Sequence, residues 1–261
     1  MTAAIAQRVH ADRRLVETGL VRADVTVARH EDPPSGEISG QKLVVTYSGA
    51  FEFQVGGSRT WVDSGRILFA HDGESYVDHH VIAGVGHASV VLTPSAPLVD
   101  ELWGKTRTGR VRGGSLRAQV LAQRLRRTND PLEAEETAVA LMEESVAGSR
   151  PVSAVDQRCV RLAKAALLDC EDGRVTLEAL AVDIGVTPVH LTQCFRKSEG
   201  LPLYRYQTQL RLGRALELLP ESEDITDLAL SLGFSSHSHF TAAFRANIGM
   251  TPSQYRGETR Q

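Results

Sequence analysis

Two stretches in the last third of the chain carry side chains at a spacing suited to reading the edges of base pairs. Val189, His190, Thr192, Gln193 and Arg196 fall on the outer face and margin of one short helix. His237, Ser238, Thr241, Ala242 and Arg245 do so on another. A glutamine can make two hydrogen bonds to adenine, valine and threonine methyls can touch the methyl of thymine, and arginine can pair with phosphate or guanine. The second set is poorer in long polar groups, with Ala242 where a base-reading side chain could sit. It is therefore expected to supply phosphate positioning and shape reading more than base selection.

The two sets recur because the sequence around them recurs. TLEALAVDIGVTPVHLTQCFRKSEGLPLYRY (176–206) and ITDLALSLGFSSHSHFTAAFRANIGMTPSQY (225–255) match at Leu180 and Leu228, Ala181 and Ala229, Gly185 and Gly233. They match again at Phe195 and Phe244, Gly200 and Gly249, Tyr206 and Tyr255, with an offset that grows from 48 to 49 residues because the second turn has one more residue. Thr176 can cap a first helix, Gly185 supplies a turn, and Thr187 can cap the next helix with Pro188 in its first turn. Asp224, Gly233 and either Ser235 or Ser236 repeat that logic. Leu180, Ile184, Val186, Leu191 and Phe195 fit a small core, as do Leu228, Leu232, Phe234, Phe240 and Phe244. Each copy reads as a helix-turn-helix unit. Residues 203–219 read as one long helix able to hold the two units about one DNA turn, roughly 34 Å, apart. His237 and His239 lie two apart on a helix and point to different sides, which argues against a metal pair. Cys194 reads as a small filler near the first reader helix.

The run LTQCFRKSEG, RLGRALELL and ITDLALSLGFSSHSHFTAAFRANIGMTPSQYR resembles the DNA-binding domain of the AraC/XylS family of bacterial transcription regulators over residues 156–256. The resemblance implies a seven-helix domain with two helix-turn-helix motifs on asymmetric promoter sites. It implies base contacts from Val189, Thr192 and Gln193 in the first reader helix and His237, Ser238 and Ala242 in the second. It also implies RNA polymerase as a partner, and a cupin-like N-terminal barrel that binds an effector or dimerises.

Residues 20–93 read by rhythm as a small antiparallel barrel or sandwich. LVVTY (43–47), AFEFQV (50–55), RTWV (59–62), RILFA (66–70) and ASVVLT (88–93) are short, β-branched or aromatic, and separated by Gly, Ser, Asp and Pro. The expected fold class is α+β, a small cupin-like barrel followed by an all-α DNA-binding domain. The expected divisions are 1–104 for the effector or dimerisation domain, 105–152 for a linker and helices, and 153–261 for the double helix-turn-helix domain. EDPPSGEISG (31–40) reads as a loop and KTRTGRVRGGS (105–115) as the linker. Beyond it, Leu116, Val120, Leu121 and Leu125 share one helical face. A second helix follows Asn129-Asp130-Pro131 and ends at Gly148. A third, about 153–171, aligns Val155, Cys159, Leu162, Ala166, Leu167 and Cys170, with Gly173 just past its end. These helices could pack on the DNA-binding domain or on a second subunit.

Phe53, Trp61, Phe69 and Tyr76 are the candidate walls of an effector pocket. His71, His79, His80 and His87 lack the spacing of a catalytic cupin metal site, and adjacent His79 and His80 on a strand would face opposite sides. Three readings stay open: a ligand-responsive regulator, a regulator whose N-terminal domain only dimerises or binds a partner protein, and a metal-dependent enzyme fused to a DNA reader. The first is preferred, as a non-catalytic homodimer with no cofactor. Three cysteines without a CxxC pair suit a reducing cytoplasm, and no apolar run is long enough for a membrane span. The net charge of −3 hides an uneven distribution: 8 basic against 13 acidic residues in 1–104, but five basic residues against Glu199 alone in 187–215. That local excess can steer DNA to one side.

Overall fold

A computed structural model describes residues 11–28, 35–81, 86–103, 110–147, 150–151, 158–170 and 175–259. The chain divides into two compact units, Met1–Pro151 and Val152–Gln261.

In the first unit the strands are β1 (Ala11–Glu17), β2 (Val21–Ala28), β3 (Ser35–Glu37), β4 (Lys42–Ser48), β5 (Ala50–Val55), β6 (Ser58–Asp63), β7 (Arg66–Ala70), β8 (Ser75–His80) and β9 (His87–Pro94). Helix α1 (Ala96–Leu102), strand β10 (Val111–Gly113), helices α2 (Leu116–Arg127) and α3 (Pro131–Ala147), and strand β11 (Arg150–Pro151) follow. The strands form two antiparallel sheets rather than one closed barrel, ordered β1-β2-β9-β4-β7-β10-β11 and β3-β8-β5-β6.

Alternation along the strands builds three layers. Leu43, Val45, Ile67, Phe69, Val90 and Leu92 leave one face of the larger sheet and meet Ala118, Ala122, Leu125, Ala138, Leu141 and Met142 of α2 and α3. Leu68 and Ala70 leave the other face and meet Phe51, Phe53 and Val62 of the smaller sheet. Being covered on both sides, β7 is buried along its whole length, which is why residues 67–70, ILFA, are a continuous apolar run. Of the three helices read as able to pack on the DNA-binding domain or a second subunit, α2 and α3 thus cover the sheet of their own unit. Their small residues Ala118, Ala122, Ala134 and Ala138 let the helix backbones come close.

Part of the expected linker is structure. Val111–Gly113 adds a strand to β7, Phe69 N–H donates to Arg110 O at 2.8 Å, and Ser115 caps α2. Arg110 also pairs with both oxygens of Glu74, holding that carboxyl down at about 2. Residues 104–109 of the expected linker and 31–34 of the expected loop lie outside the described residues. The rest of that loop contributes β3, paired with β8.

The second unit contains α4 (Arg158–Asp169), α5 (Leu177–Ile184), α6 (Pro188–Glu199), α7 (Leu203–Leu218), α8 (Ile225–Ser231), α9 (His237–Ile248) and α10 (Pro252–Thr259). Helix α4 buries Val160, Ala163, Lys164 and Leu167, while Leu162 is exposed. The stripe expected from sequence is therefore rotated, because the lysine interrupting the true apolar face is itself in the core. Val155, Gly148 and Gly173 of the expected helix pattern lie outside the described residues. No helix among the described residues is long and apolar enough to cross a membrane.

Candidate nucleic-acid interface

The repeat in the sequence is a repeat in space. Thr176 Oγ1 accepts from Ala179 N–H to start α5, and Asp224 accepts from Thr226 and Asp227 N–H to start α8. Gly185 (φ 78°) and Gly233 (φ 82°) make the two turns, in a backbone region that glycine enters without strain. Thr187 Oγ1 then accepts from His190 N–H, and Ser236 Oγ from His239 N–H, to cap the reader helices α6 and α9. Ser235, the other expected cap, instead places its hydroxyl 3.0 Å from His239 Nδ1.

An aromatic pair closes each unit. Phe195 meets Tyr206 edge-on at 5.1 Å, and Phe244 meets Tyr255 at 5.7 Å. Such pairs add about 0.5–1.5 kcal/mol beyond the area they bury. Phe195, Phe234, Phe240 and Phe244 are core, as their spacing requires. Helix α7 joins the units, with Tyr206 in the first core and the Arg211 guanidinium 5.7 Å over the ring of Phe234 in the second.

On α6, Val189, His190, Thr192, Gln193 and Arg196 are all exposed, Val189 by 65%. Thr192 turns its hydroxyl back to Pro188 O at 2.8 Å, leaving its methyl outward. On α9, His237, Ser238, Ala242 and Arg245 are exposed. Thr241 departs from the expectation: it is half-buried and its hydroxyl oxygen faces the interior. Its position, one residue after Phe240, places it at the rim of the core rather than on the outer face. His239 turns in to the edge of Phe234 while His237 faces outward, as residues two apart on a helix must.

The charge of this surface is more one-sided than the sequence suggested. Glu199, the single acid between 187 and 215, is fully buried against Lys164 Nζ at 2.9 Å, linking α4 to the end of α6. Arg196, Lys197, Arg205 and Arg214 are exposed, so every exposed charged residue of that segment is basic. A bland solvated helix surface would interleave both signs. Nothing in the sequence marked Glu199 or Lys164 as interior, since both residue types are rarely buried.

In the first unit the four expected effector walls do not converge. Phe69 faces the helical layer, edge-on to Trp103 at 5.7 Å. Phe53 and Tyr76 stack at 5.4 Å between the sheets. Trp61 donates its indole N–H to Asp63 at 2.6 Å, and the same carboxylate accepts from Gly65 N–H, so the indole braces the β6–β7 turn. His79 and His80 diverge as adjacent strand residues should. His79 reaches Gln54 at 2.7 Å, while His80 turns toward the ring of His87, centroids 5.8 Å apart.

Sequence reasoning weighed His80 and His87 only as metal ligands and missed their grouping with Asp78. Asp78 lies on the same side of β8 and is buried, with Oδ2 3.9 Å from His87 Nε2, and His87 stacks on Phe51 at 4.0 Å. Burial pushes the Asp78 carboxyl up to about 8 and, with His80 adding to the effect, the His87 imidazole down to about 3. Asp78 Oδ1 and His87 Nδ1 make no hydrogen bond among the described residues.

The second unit is thus defined by two capped helix-turn-helix units in tandem, joined by a long helix and presenting two exposed reader helices. Residues 180–258 match the family profile described as "Helix-turn-helix domain". Residues 180–258 are an AraC-type helix-turn-helix domain. Among curated proteins the chain is 37% identical to the HTH-type transcriptional activator AarP of Providencia stuartii over 84 residues, 32% of this chain and 62% of AarP. It is 31% identical to the bifunctional transcriptional activator/DNA repair enzyme Ada of Escherichia coli, over 40% of this chain and 29% of Ada. It is 35% identical to the HTH-type transcriptional activator RhaR of Klebsiella pneumoniae, over 32% of this chain and 30% of RhaR. The chain therefore spans less than two thirds of the length of each of these relatives. Among solved structures, an AraC-type DNA-binding domain protein from Chromobacterium violaceum aligns at 27% identity, 40% of this chain, 93% of that chain and TM-score 0.37. ToxT from Vibrio cholerae aligns at 14% identity, 93% of this chain, 100% of that chain and TM-score 0.39.

Proposed function

We propose that this protein is a sequence-specific, non-catalytic transcriptional regulator that binds promoter DNA through α6 and α9 in successive major grooves. The observation that carries the reading is the duplicated unit, whose two reader helices are capped alike and keep Val189, Gln193 and Arg196, then His237, Ser238, Ala242 and Arg245, exposed. The exposed charged residues of 187–215, all of them basic, support it. Gln193 selects a base, Arg196 and Arg245 hold phosphates, and α9 contributes positioning more than selection. The protein acts as a homodimer and recruits or blocks RNA polymerase. Full-length protein binding to labelled promoter duplexes across a salt series tests this reading. Binding that weakens steeply and linearly on a log–log plot is expected. Salt-insensitive binding, or none at low salt, would contradict it.

The first unit takes a small-molecule effector between its two sheets. Asp78 and His87 favour this reading, being buried polar groups with unmet hydrogen-bonding capacity beside Phe51, Phe53 and Tyr76. A polar compound with both donor and acceptor groups suits a protonated carboxyl facing a neutral imidazole. The second reading, a ligand-independent domain that dimerises or binds a partner protein, is favoured by the burial of Phe53, Trp61 and Phe69 in separate places. Thermal unfolding of the full chain against a metabolite panel separates them, since a ligand of the folded state must raise the midpoint.

A further inference from the structure

At the margin of the reader surface, one cluster of metal-ligating side chains among the described residues bridges two helices of the second unit. Cys159 comes from α4, and His190 and Cys194 from one face of α6, four residues apart. Cys194 Sγ lies 3.4 Å from His190 Nε2, and the ligand atoms of all three residues lie within 4.8 Å of one another. We propose that Cys159, His190 and Cys194 form a binding site for a thiophilic metal ion of the zinc class, clamping α4 to the first reader helix.

The distances fit the chemistry. Zinc bonds of about 2.3 Å to sulfur and 2.0–2.1 Å to nitrogen, in tetrahedral geometry, separate two sulfurs by about 3.8 Å and sulfur from nitrogen by about 3.6 Å. The three atoms therefore need to shift by no more than about 1 Å to close around an ion. The helices fix the thiols, because Cys159 and Cys194 pack in the same core as Val160, Leu191 and Phe195. His190 is exposed, so its ring can reorient without disturbing that packing. Two thiols and an imidazole are a soft donor set that selects zinc-class ions over magnesium or calcium. Water completes the coordination on the exposed side. Binding releases two thiol protons and involves no change of oxidation state. Because His190 also belongs to the helix that the proposed function turns to DNA, metal occupancy would alter operator affinity.

Metal binding can be read without DNA, which keeps the failure of this inference separate from failure of the regulator reading. Cobalt(II) chloride is titrated into reduced full-length protein, and the visible ligand-field bands and near-ultraviolet thiolate charge-transfer band are followed. The expected result is one tetrahedral cobalt per chain, bleached by zinc chloride and unchanged in Cys170→Ser. The charge-transfer band should be lost or cut at least twofold in Cys159→Ser and Cys194→Ser. In His190→Ala, whose exposed position leaves folding intact, cobalt affinity should fall at least tenfold. Absence of the charge-transfer band in the native chain, or full wild-type behaviour in any one of the three variants, would overturn the site.

Discussion

The ammonium of Lys164 lies 2.9 Å from the carboxylate of Glu199, and both side chains are completely buried. Lys164 also sits 5.2 Å over the ring of Tyr206, so one cation ties together α4, the end of α6 and the start of α7. An ion pair in such a place contributes little net stability over an apolar pair, yet losing one partner strands a buried charge. Glu199→Gln is expected to destabilise the second unit by about 3–5 kcal/mol. Lys164→Met combined with Glu199→Leu should recover most of that loss. Urea unfolding of the three proteins measures both, and a single variant within about 0.5 kcal/mol of the native chain would remove the pair from the core's account.

The caps give a smaller effect with a defined place. Thr187→Ala and Ser236→Ala each leave one helix N-terminus short of an acceptor, for His190 and His239 N–H respectively. Each is expected to cost about 0.5–2 kcal/mol. Ser235→Ala, which loses only a contact to His239, should cost less than Ser236→Ala in the same unfolding assay.

The reader residues separate by kind of contact. Gln193→Ala should cost about 1–3 kcal/mol on the preferred site and relax selection at one base pair. Arg196→Ala should weaken all sequences alike and reduce the salt slope by about one. Comparing both variants on matched and single-mismatch duplexes distinguishes the roles, and an unchanged base preference in Gln193→Ala would remove its assignment.

Asp78 gives a dependence on pH whose sign is fixed. Its carboxyl rises from an ordinary 3.8 to about 8 in the folded chain, so between those values the folded state holds a proton that the unfolded state has lost. Stability must therefore fall as pH rises through that window, by up to about 1.4 kcal/mol per pH unit. His87, lowered from 6.5 to about 3, acts oppositely and only below about 6.5, where stability falls as pH drops. Between pH 6.5 and 8 the Asp78 effect is alone of the two. Asp78→Asn should flatten the decline there in thermal unfolding, and an equally steep decline in that variant would contradict the burial of a protonated carboxyl.

Much of the second unit was legible because its determinants are local. Capping threonines, turn glycines and apolar residues at helical spacing lie within one or two turns of the elements they specify, and duplication doubled the signal. The strands β4, β5, β6, β7 and β9 were legible for the same reason. What escaped depends on partners distant in sequence. Val111–Gly113 is too short to read as a strand and becomes one only beside β7. Asp78 and His87 meet only because two sheets face each other. Lys164 and Glu199 are of residue types rarely found in a core, so an apolar stripe drawn through α4 passes Lys164 by. Thr241 read as outward because period alone does not resolve a residue at the rim of a core.

The most direct test of the central claim is selection of duplexes by the full-length chain from a randomised pool, read by sequencing. Two reader helices held by α7 predict a bipartite motif with two conserved blocks about one helical turn, 10–10.5 base pairs, apart, centre to centre. The block lost on Gln193→Ala should be the more strictly specified of the two. A single short block, or no enrichment above the starting pool, would contradict the reading of this protein as a tandem reader of DNA.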